Sequence, residues 1–309
     1  MLTLFTTAKP FTGHNAVIQR NALKSWTLLH RDVEVILFGD EPGAADIARE
    51  LRIRNEPQVE RYAGKLPYVN SLFMRAGQLA QNEILCYANC DIVLLPDFYR
   101  AVAKVVQAKN SFLMVGRRWD IDISDPIDFS DINWAEPVRR LAFAANKQKN
   151  GWWIDYFVFP RDHFGSDFPP LVIGRPPWDN WTVWRALRCG PVVDASDAVV
   201  AIHQNHGYGC GPASHSQLWN DVASQHNEAV AGSRWHLCTI EDATHLLGPS
   251  GLRPNPGRNR QMARRLVRTA RKAFWFSVLN WTRPLRKAVG LRKVNFDAVF
   301  ARLRRFVSR

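Results

Sequence analysis

The sequence predicts an α/β fold with a mostly parallel central sheet, and three observations carry that expectation. From the first residue to about residue 115, short apolar runs alternate with segments of helical period, the pattern of repeated strand–helix–strand units. The 309 residues are 46% hydrophobic and 22% charged, enough apolar material for one large domain with an appendage. The basic residues are also segregated. From Leu252 onward, 17 Arg and Lys face a single acid, Asp297, which leaves 24 basic against 27 acidic residues in the rest. The net charge of +13 therefore belongs to a tail hung on a slightly acidic body.

The elements follow in order. Leu2 to Thr7 reads as a strand, and His14 to Leu29 as an amphipathic helix on Val17, Ile18, Leu23, Trp26 and Leu29. Val33 to Phe38 is a second strand, closed by Gly39-Asp40-Glu41-Pro42-Gly43. Helices are expected over Ala44–Leu51 and Val69–Ala80, and the strongest strand over Ile84–Ala88. Phe112–Val115, Trp153–Phe159 and Ala198–His203 read as further strands between Pro- and Trp-rich loops of the kind that serve sites. Gly-Pro-Ser-Gly and Pro-Asn-Pro-Gly after residue 248 mark a linker, giving a catalytic domain over 1–248 and a tail over 249–309.

Five cysteines, odd in number and without a CxxC pair, read as small buried residues of a reducing compartment. No run approaches the ~20 apolar residues of a membrane span. The chain opens directly on a strand, so a cytoplasmic protein is expected.

The chemistry centres on Asn89-Cys90-Asp91, where the apolar strand from Ile84 ends. A carboxylate at such a strand end is costly unless a cation meets it. A divalent ion bridging a diphosphate would do so, since hard oxygens suit Mg²⁺ or Mn²⁺. A turn-capping role for Asp91 is the alternative for the triplet taken alone. The longer stretch resembles the core of GT-A glycosyltransferases: Gly64-Lys65-Leu-Pro-Tyr-Val-Asn70, a helix with Ala76 and Ala80, then Ile84 to Leu95. In that family a Lys/Asn-bearing segment precedes a strand ending in a DxD metal motif, here N-C-D. The resemblance implies a Rossmann-like GT-A three-layer sandwich over roughly residues 1–215, Mn²⁺ or Mg²⁺ as cofactor and a nucleotide-sugar donor. It implies Asp91 as a direct metal ligand and Asn89 facing ribose or a metal-bound water. It also implies donor contacts from Lys65, Asn70, Thr6, Thr7 and Lys9, and from Asp40, which equally reads as a plain turn residue.

Three further constellations stand out. In Ile173-Gly-Arg-Pro-Pro-Trp-Asp-Asn-Trp181, Arg175 and Asp179 lie among Trp178, Trp181 and Trp184. Aromatic rings stack on sugar faces, so this Asp suits an acceptor site. By the resemblance it falls where inverting GT-A enzymes carry the general base. Capping of the helix Asn180–Leu187 is the other reading of Asp179. In Ala198-Val-Val-Ala-Ile-His203-Gln-Asn-His206, a strand delivers two histidines to a glycine-rich loop, and the resemblance favours His203 as a metal ligand with His206 second. Arg117 and Arg118 offer paired guanidinium groups suited to a diphosphate, or a solvated surface pair. The acidic stretch Asp120 to Asp131 lacks the glycine and terminal Glu of a calcium loop. Asp155, inside an apolar run, is expected to hold the donor sugar or Arg175.

In the tail, Phe296, Val299, Phe300, Leu303 and Phe306 fall at helical spacing among arginines. Such a helix suits an anionic membrane surface and a lipid-linked acceptor, or packs on the body with its Arg face solvated. Nucleic-acid binding is disfavoured because the arginines share helices with large apolar residues. The expected activity is therefore transfer of a sugar from a nucleotide-diphosphate-sugar to a glycan or lipid-linked acceptor at the cytoplasmic membrane face. An inactive carbohydrate-binding relative is one alternative. A sugar nucleotidyltransferase is another, but the N-terminus lacks its Gly-rich phosphate loop.

Overall fold

The computed structural model describes residues 1–165, 167–206, 215–233, 236–259, 262, 263 and 267. The chain divides into two units, Met1–Arg258 and Asn259–Arg309, and every element below belongs to the first. The expected tail helix that carries Phe296 to Phe306 lies outside the described residues. Among the described residues no helix is long and apolar enough to cross a membrane.

In chain order the elements are β1 (Leu2–Thr7), α1 (Gly13–Thr27), β2 (Val33–Phe38), α2 (Ala44–Leu51), β3 (Arg54–Glu56), β4 (Arg61–Tyr62), β5 (Leu66–Pro67), α3 (Val69–Leu79), β6 (Ile84–Ala88) and β7 (Ile92–Leu94). Then come α4 (Asp97–Ala108), β8 (Leu113–Val115), β9 (Arg118–Ile121), α5 (Ala135–Ala145), β10 (Tyr156–Pro160), α6 (Trp178–Cys189), β11 (Val192–Asp194) and β12 (Ala201–Gln204). The last are α7 (His215–Trp219), α8 (Val222–Ala231), β13 (His245–Gly248) and β14 (Gly251–Pro254).

Nine strands form the main sheet in the order β14-β13-β11-β8-β10-β6-β1-β2-β3. All neighbours pair parallel except β10, which runs against β6 and β8, and the β13–β14 hairpin. The predicted mixed α/β, Rossmann-like three-layer architecture is the observed one. Successive strand residues point to opposite faces. Leu2, Leu4, Val35, Leu37 and Cys86 meet α1, α2 and α4, while Phe5, Ile36, Phe38, Leu85 and Tyr87 meet α3 and α6. Two closed cores on the two faces make the sheet a rigid platform.

A second sheet, β7-β12-β9, lies beyond the end of β6 and packs its own core on α5 through Val93, Ile121, Val138, Ala142 and Ile202. The chain turns at Asn89–Asp91, with Ile92 N–H donating to the Asn89 carbonyl at 3.1 Å, and re-enters in a different sheet. The expected domain boundary at 248 falls inside the β13–β14 hairpin, whose four-pair register completes the main sheet through Pro254. That hairpin has an edge to pair with because β13 is parallel to β11.

Candidate metal and active site

Binding residues in open α/β sheets gather where the strands end at their carboxyl edge. Here that edge receives the ends of β1, β2, β6 and β8, and also the start of the reversed strand β10. Asp91 stands in the turn after β6. β12 pairs antiparallel with β7, His203 opposite Ile92, and parallel with β9, His203 opposite Asp120. This register sets His203 beside Asp91, although they are 112 positions apart in the chain.

His206 Nε2 lies 3.0 Å from Asp91 Oδ2, and His203 Nε2 lies 3.9 Å from the same oxygen. One ligand atom from each of Asp91, His203 and His206 falls within 4.8 Å of the others. Asp91 Oδ1 is buried and has no hydrogen-bond partner. Burial alone would raise the Asp91 carboxyl. The hydrogen bond from His206 and the charges of His203, His206 and Arg118 outweigh it and hold the group at about 2. The carboxylate is thus kept ionised, with one oxygen unengaged beside two imidazoles. The carboxylate oxygen suits the hard ions Mn²⁺ and Mg²⁺, and the two imidazoles favour Mn²⁺ of the two.

The backbone under Asp91 is locked by buried amides. Gln204 Nε2 donates to the Asp91 carbonyl at 3.1 Å and to the Ile18 carbonyl at 2.8 Å, while Asn21 Nδ2 donates to Gln204 Oε1 at 2.9 Å. Asn21 Oδ1 accepts from Ile127 N–H at 2.9 Å. Helix α1, β12 and the acidic loop therefore meet at one point. The sequence carried the signal as Gln204 between the two histidines, a polar residue at a position whose neighbours Ala201 and Ile202 are core.

A second group sits beside the first. Arg118 is buried, its Nη1 donating to Asp155 Oδ1 and Oδ2 at 2.8 and 2.9 Å and its Nε to Asp120 Oδ1 at 2.9 Å. Asn89 Nδ2 donates to Asp155 Oδ1 at 2.7 Å, and Asn89 Oδ1 accepts from the Tyr87 hydroxyl at 3.1 Å. Both ends of the Asn89 amide are thus committed to the protein, not turned to a ribose or a metal-bound water. Asp155 pairs with Arg118 rather than with Arg175. Arg175 is held by Asp221, Nε to Oδ2 at 2.5 Å.

The two adjacent arginines do not act together. Side chains that follow one another in extended chain point apart. Arg118 enters the site while Arg117 turns toward Glu241, Nη2 to Oε1 at 3.9 Å.

Asp179 lies in the first turn of α6, inside the helix rather than at its cap, and its Oδ1 accepts from Asn180 N–H at 2.9 Å. Burial pushes its carboxyl up to about 7, and the neighbouring charge of Asp155 adds to the rise. Asp179 is therefore poised near neutrality within electrostatic reach of Asp155 and Arg118. The tryptophans beside it are not a sugar platform. Trp178 is 5% exposed and packs on Tyr87 and Phe157, and Trp181 is 6% exposed and packs on Phe168 and Trp184. Spaced by three, they share the inner face of α6 and fill the core under the sheet. The accessible aromatics at this edge are instead Trp152, 47% exposed, and Trp153, whose ring lies 5.0 Å from the Arg118 guanidinium carbon.

The strand-one residues come to the same edge. Thr6 Oγ1 donates to the Thr7 carbonyl at 3.1 Å, and the charge of Lys9 reaches Cys90. Gln19 brackets the Lys9 backbone, accepting from its N–H at 2.6 Å and donating to its carbonyl at 2.9 Å. Asp40 and Lys65 belong to a separate cluster around Arg61. Its Nη2 donates to Asp40 Oδ1 at 3.1 Å, and its Nη1 to Glu41 Oε1 at 2.9 Å and to the Lys65 carbonyl at 3.0 Å. Gly39, at φ +109, makes the turn that presents Asp40, and a Cβ there would strike Glu41. Asn70 lies in the first turn of α3 with a buried, unpartnered Oδ1.

No protein-family model matches the chain, and no curated protein matches it. Among solved structures, S. aureus TarS 1-349 aligns at 10% identity and a TM-score of 0.43, over 66% of this chain and 60% of that one. Against this first structure, then, the chain spans less than two thirds of the partner's length. The same protein in complex with UDP-GlcNAc aligns at 9% identity and a TM-score of 0.47, over 74% and 70%. M. tuberculosis glucosyl-3-phosphoglycerate synthase, in complex with Mn²⁺, UDP-glucose and phosphoglyceric acid, aligns at 12% identity and a TM-score of 0.44, over 75% and 80%.

Proposed function

We propose that this chain is a metal-dependent glycosyltransferase, moving a sugar from a nucleotide-diphosphate-sugar donor to a hydroxyl of a glycan or lipid-linked acceptor. The observation that carries the reading is the convergence of Asp91, His203 and His206 at the carboxyl edge of a parallel sheet, with Asp91 Oδ1 buried and unpartnered. These three residues would hold Mn²⁺ or Mg²⁺, which supplies compensation for the charge of a departing nucleoside diphosphate. Thr6, Thr7 and Lys9 at the end of β1 border the same turn and suit the nucleotide. Asp179 takes the acceptor's hydroxyl proton. A carboxyl at about 7 is half ionised at neutral pH and matched to that work. Arg118 and Asp155 hold the floor between the two groups and keep the site's charges balanced. The basic tail, with its 17 Arg and Lys from Leu252 onward, would bring the site to an anionic cytoplasmic membrane face and a lipid-linked acceptor.

Calorimetry of the full chain against nucleoside diphosphates and nucleotide-sugars, with Mn²⁺, with Mg²⁺ and with chelator, tests the reading. Binding and slow donor hydrolysis should require the metal, and Asp91→Ala should abolish both while the far-UV spectrum is unchanged. An Asp91→Ala protein that binds nucleoside diphosphate and metal as the wild type does would overturn it.

A further inference from the structure

The two nitrogens of the His203 ring face two different carboxylates. Nε2 lies 3.9 Å from Asp91 Oδ2, and Nδ1, buried and without a hydrogen bond in this structure, has Asp120 Oδ1 as its facing oxygen at 3.4 Å. The backbone dictates this placement, because the parallel pairing of β12 with β9 sets His203 level with Asp120. Asp120 is itself fixed. It is buried, its Oδ1 accepts from Arg118 Nε at 2.9 Å, and its Oδ2 is 3.0 Å from Lys149 Nζ. Lys149 in turn is tied to the strand by its backbone N–H, which donates to the Arg118 carbonyl at 2.9 Å.

An ionised carboxylate only accepts hydrogen bonds, and a neutral imidazole carries one N–H and one lone pair. A carboxylate beside Nδ1 therefore draws the ring proton to Nδ1 and leaves the Nε2 lone pair aimed at the Asp91 side. Outer partners of this kind fix both the tautomer and the orientation of a metal-binding histidine. We infer that Asp120 is a positioning residue that holds His203 in the Nδ1–H tautomer, with Nε2 presented to the cation of the site proposed above. The inference rests on that metal reading. It gives a purpose to the Arg118–Lys149 clamp, which holds in place a carboxylate that touches no proposed substrate group.

The test uses the full-length protein, ¹⁵N-labelled at histidine, and Mn²⁺ as probe. In the metal-free wild type, the two-bond ¹H–¹⁵N pattern of His203, assigned by its loss in His203→Gln, should show a protonated Nδ1. Asp120→Asn supplies one acceptor where donors from Arg118, Lys149 and His203 converge. It should shift His203 toward the Nε2–H tautomer and weaken Mn²⁺ binding, read by electron paramagnetic resonance titration, by about 10- to 100-fold. A purely structural role for Asp120 would lower the melting temperature without moving either readout. A wild-type His203 protonated at Nε2 overturns the inference whatever the variant does, including a variant that fails to fold. Equal Mn²⁺ affinity and an unchanged tautomer in folded Asp120→Asn overturn it too, leaving the proposed function in place. A wild type that binds no Mn²⁺ overturns the proposed function and this inference together.

Discussion

Asp179→Asn should make the protein more stable and less active at once, and the size of the gain should follow pH. The amide has the shape of the carboxyl and keeps the Oδ1 that accepts from Asn180 N–H, so packing is preserved. What changes is the charge. In the unfolded chain Asp179 ionises near the ordinary value of 3.8, while burial in the folded protein, aided by the charge of Asp155, delays ionisation to about 7. Below about pH 4 both states hold the proton and the two proteins should be equally stable with respect to this residue. As pH rises from there to 7, the unfolded wild type loses a proton that the folded wild type keeps, so wild-type stability falls. Above pH 7 the cost is constant. An interval of about 3 pH units at about 1.36 kcal/mol each sets a ceiling of ~4 kcal/mol, and the partly accessible edge of Asp179 brings the expected gain to ~2–4 kcal/mol. Urea unfolding of both proteins at pH 5, 6, 7 and 8 measures it, alongside turnover at the same pH values. The gap should widen up to pH 7 and then level, while turnover in the variant drops at every pH because an amide accepts no proton. A gap that is flat with pH, or a variant no more stable than the wild type at pH 8, would refute the placement of a strained carboxyl at the start of α6.

Three further outcomes are expected. Arg118→Met leaves Asp155 and Asp120 buried without their guanidinium, and should cost about 3–5 kcal/mol in chemical denaturation at pH 7. Trp178→Ala should cost about 3–5 kcal/mol through the cavity left against Tyr87 and Phe157, whereas Trp178→Phe should leave acceptor KM near the wild-type value; a rise in KM confined to acceptor would restore the stacking role. Removing residues 259–309 should abolish co-sedimentation with vesicles containing anionic lipid and spare metal-dependent donor hydrolysis, with full-length protein that fails to sediment at low salt counting against a membrane role.

The parallel half of the sheet was legible because its strands are short, apolar and separated by helices of clear period. Val33–Phe38 and Ile84–Ala88 are predicted and observed with the same bounds. The meeting of Asp91 and His203 was legible because each closes an apolar run, where a polar side chain has few reasons to be, whereas His206 was singled out only through the resemblance. What the sequence obscured is pairing across distance. Arg118, Asp120 and Asp155 read one by one as a diphosphate clamp, a fragment of a failed calcium loop and a sugar ligand. Only the register of β9 against β12 and of β10 against β6 shows that they neutralise one another. The tryptophans misled for a related reason. Trp178 and Trp181 flank a candidate base in the sequence, but helical geometry turns them inward while Asp179 stays at the edge.

The reversed direction of β10 has a consequence for how such a site can be altered. In a wholly parallel sheet each strand hands one outgoing segment to the binding edge, and the incoming segment sits at the far rim. Because β10 enters from the binding edge, the segment of residues 146–155 that leads into it lies beside the outgoing turn of β6, with Asn89 N–H donating to the Asp155 carbonyl at 2.9 Å. Two neighbouring connections thus open on one side, one ending in Asp91 and the other carrying Trp152 and Trp153. Lengthening or exchanging the second would remodel that side of the edge while the strand pairing behind it, and the Asp91–His203–His206 group beside it, keep their places. Under the proposed function, residues 146–153 are the segment to vary first to redirect the chain to a new acceptor.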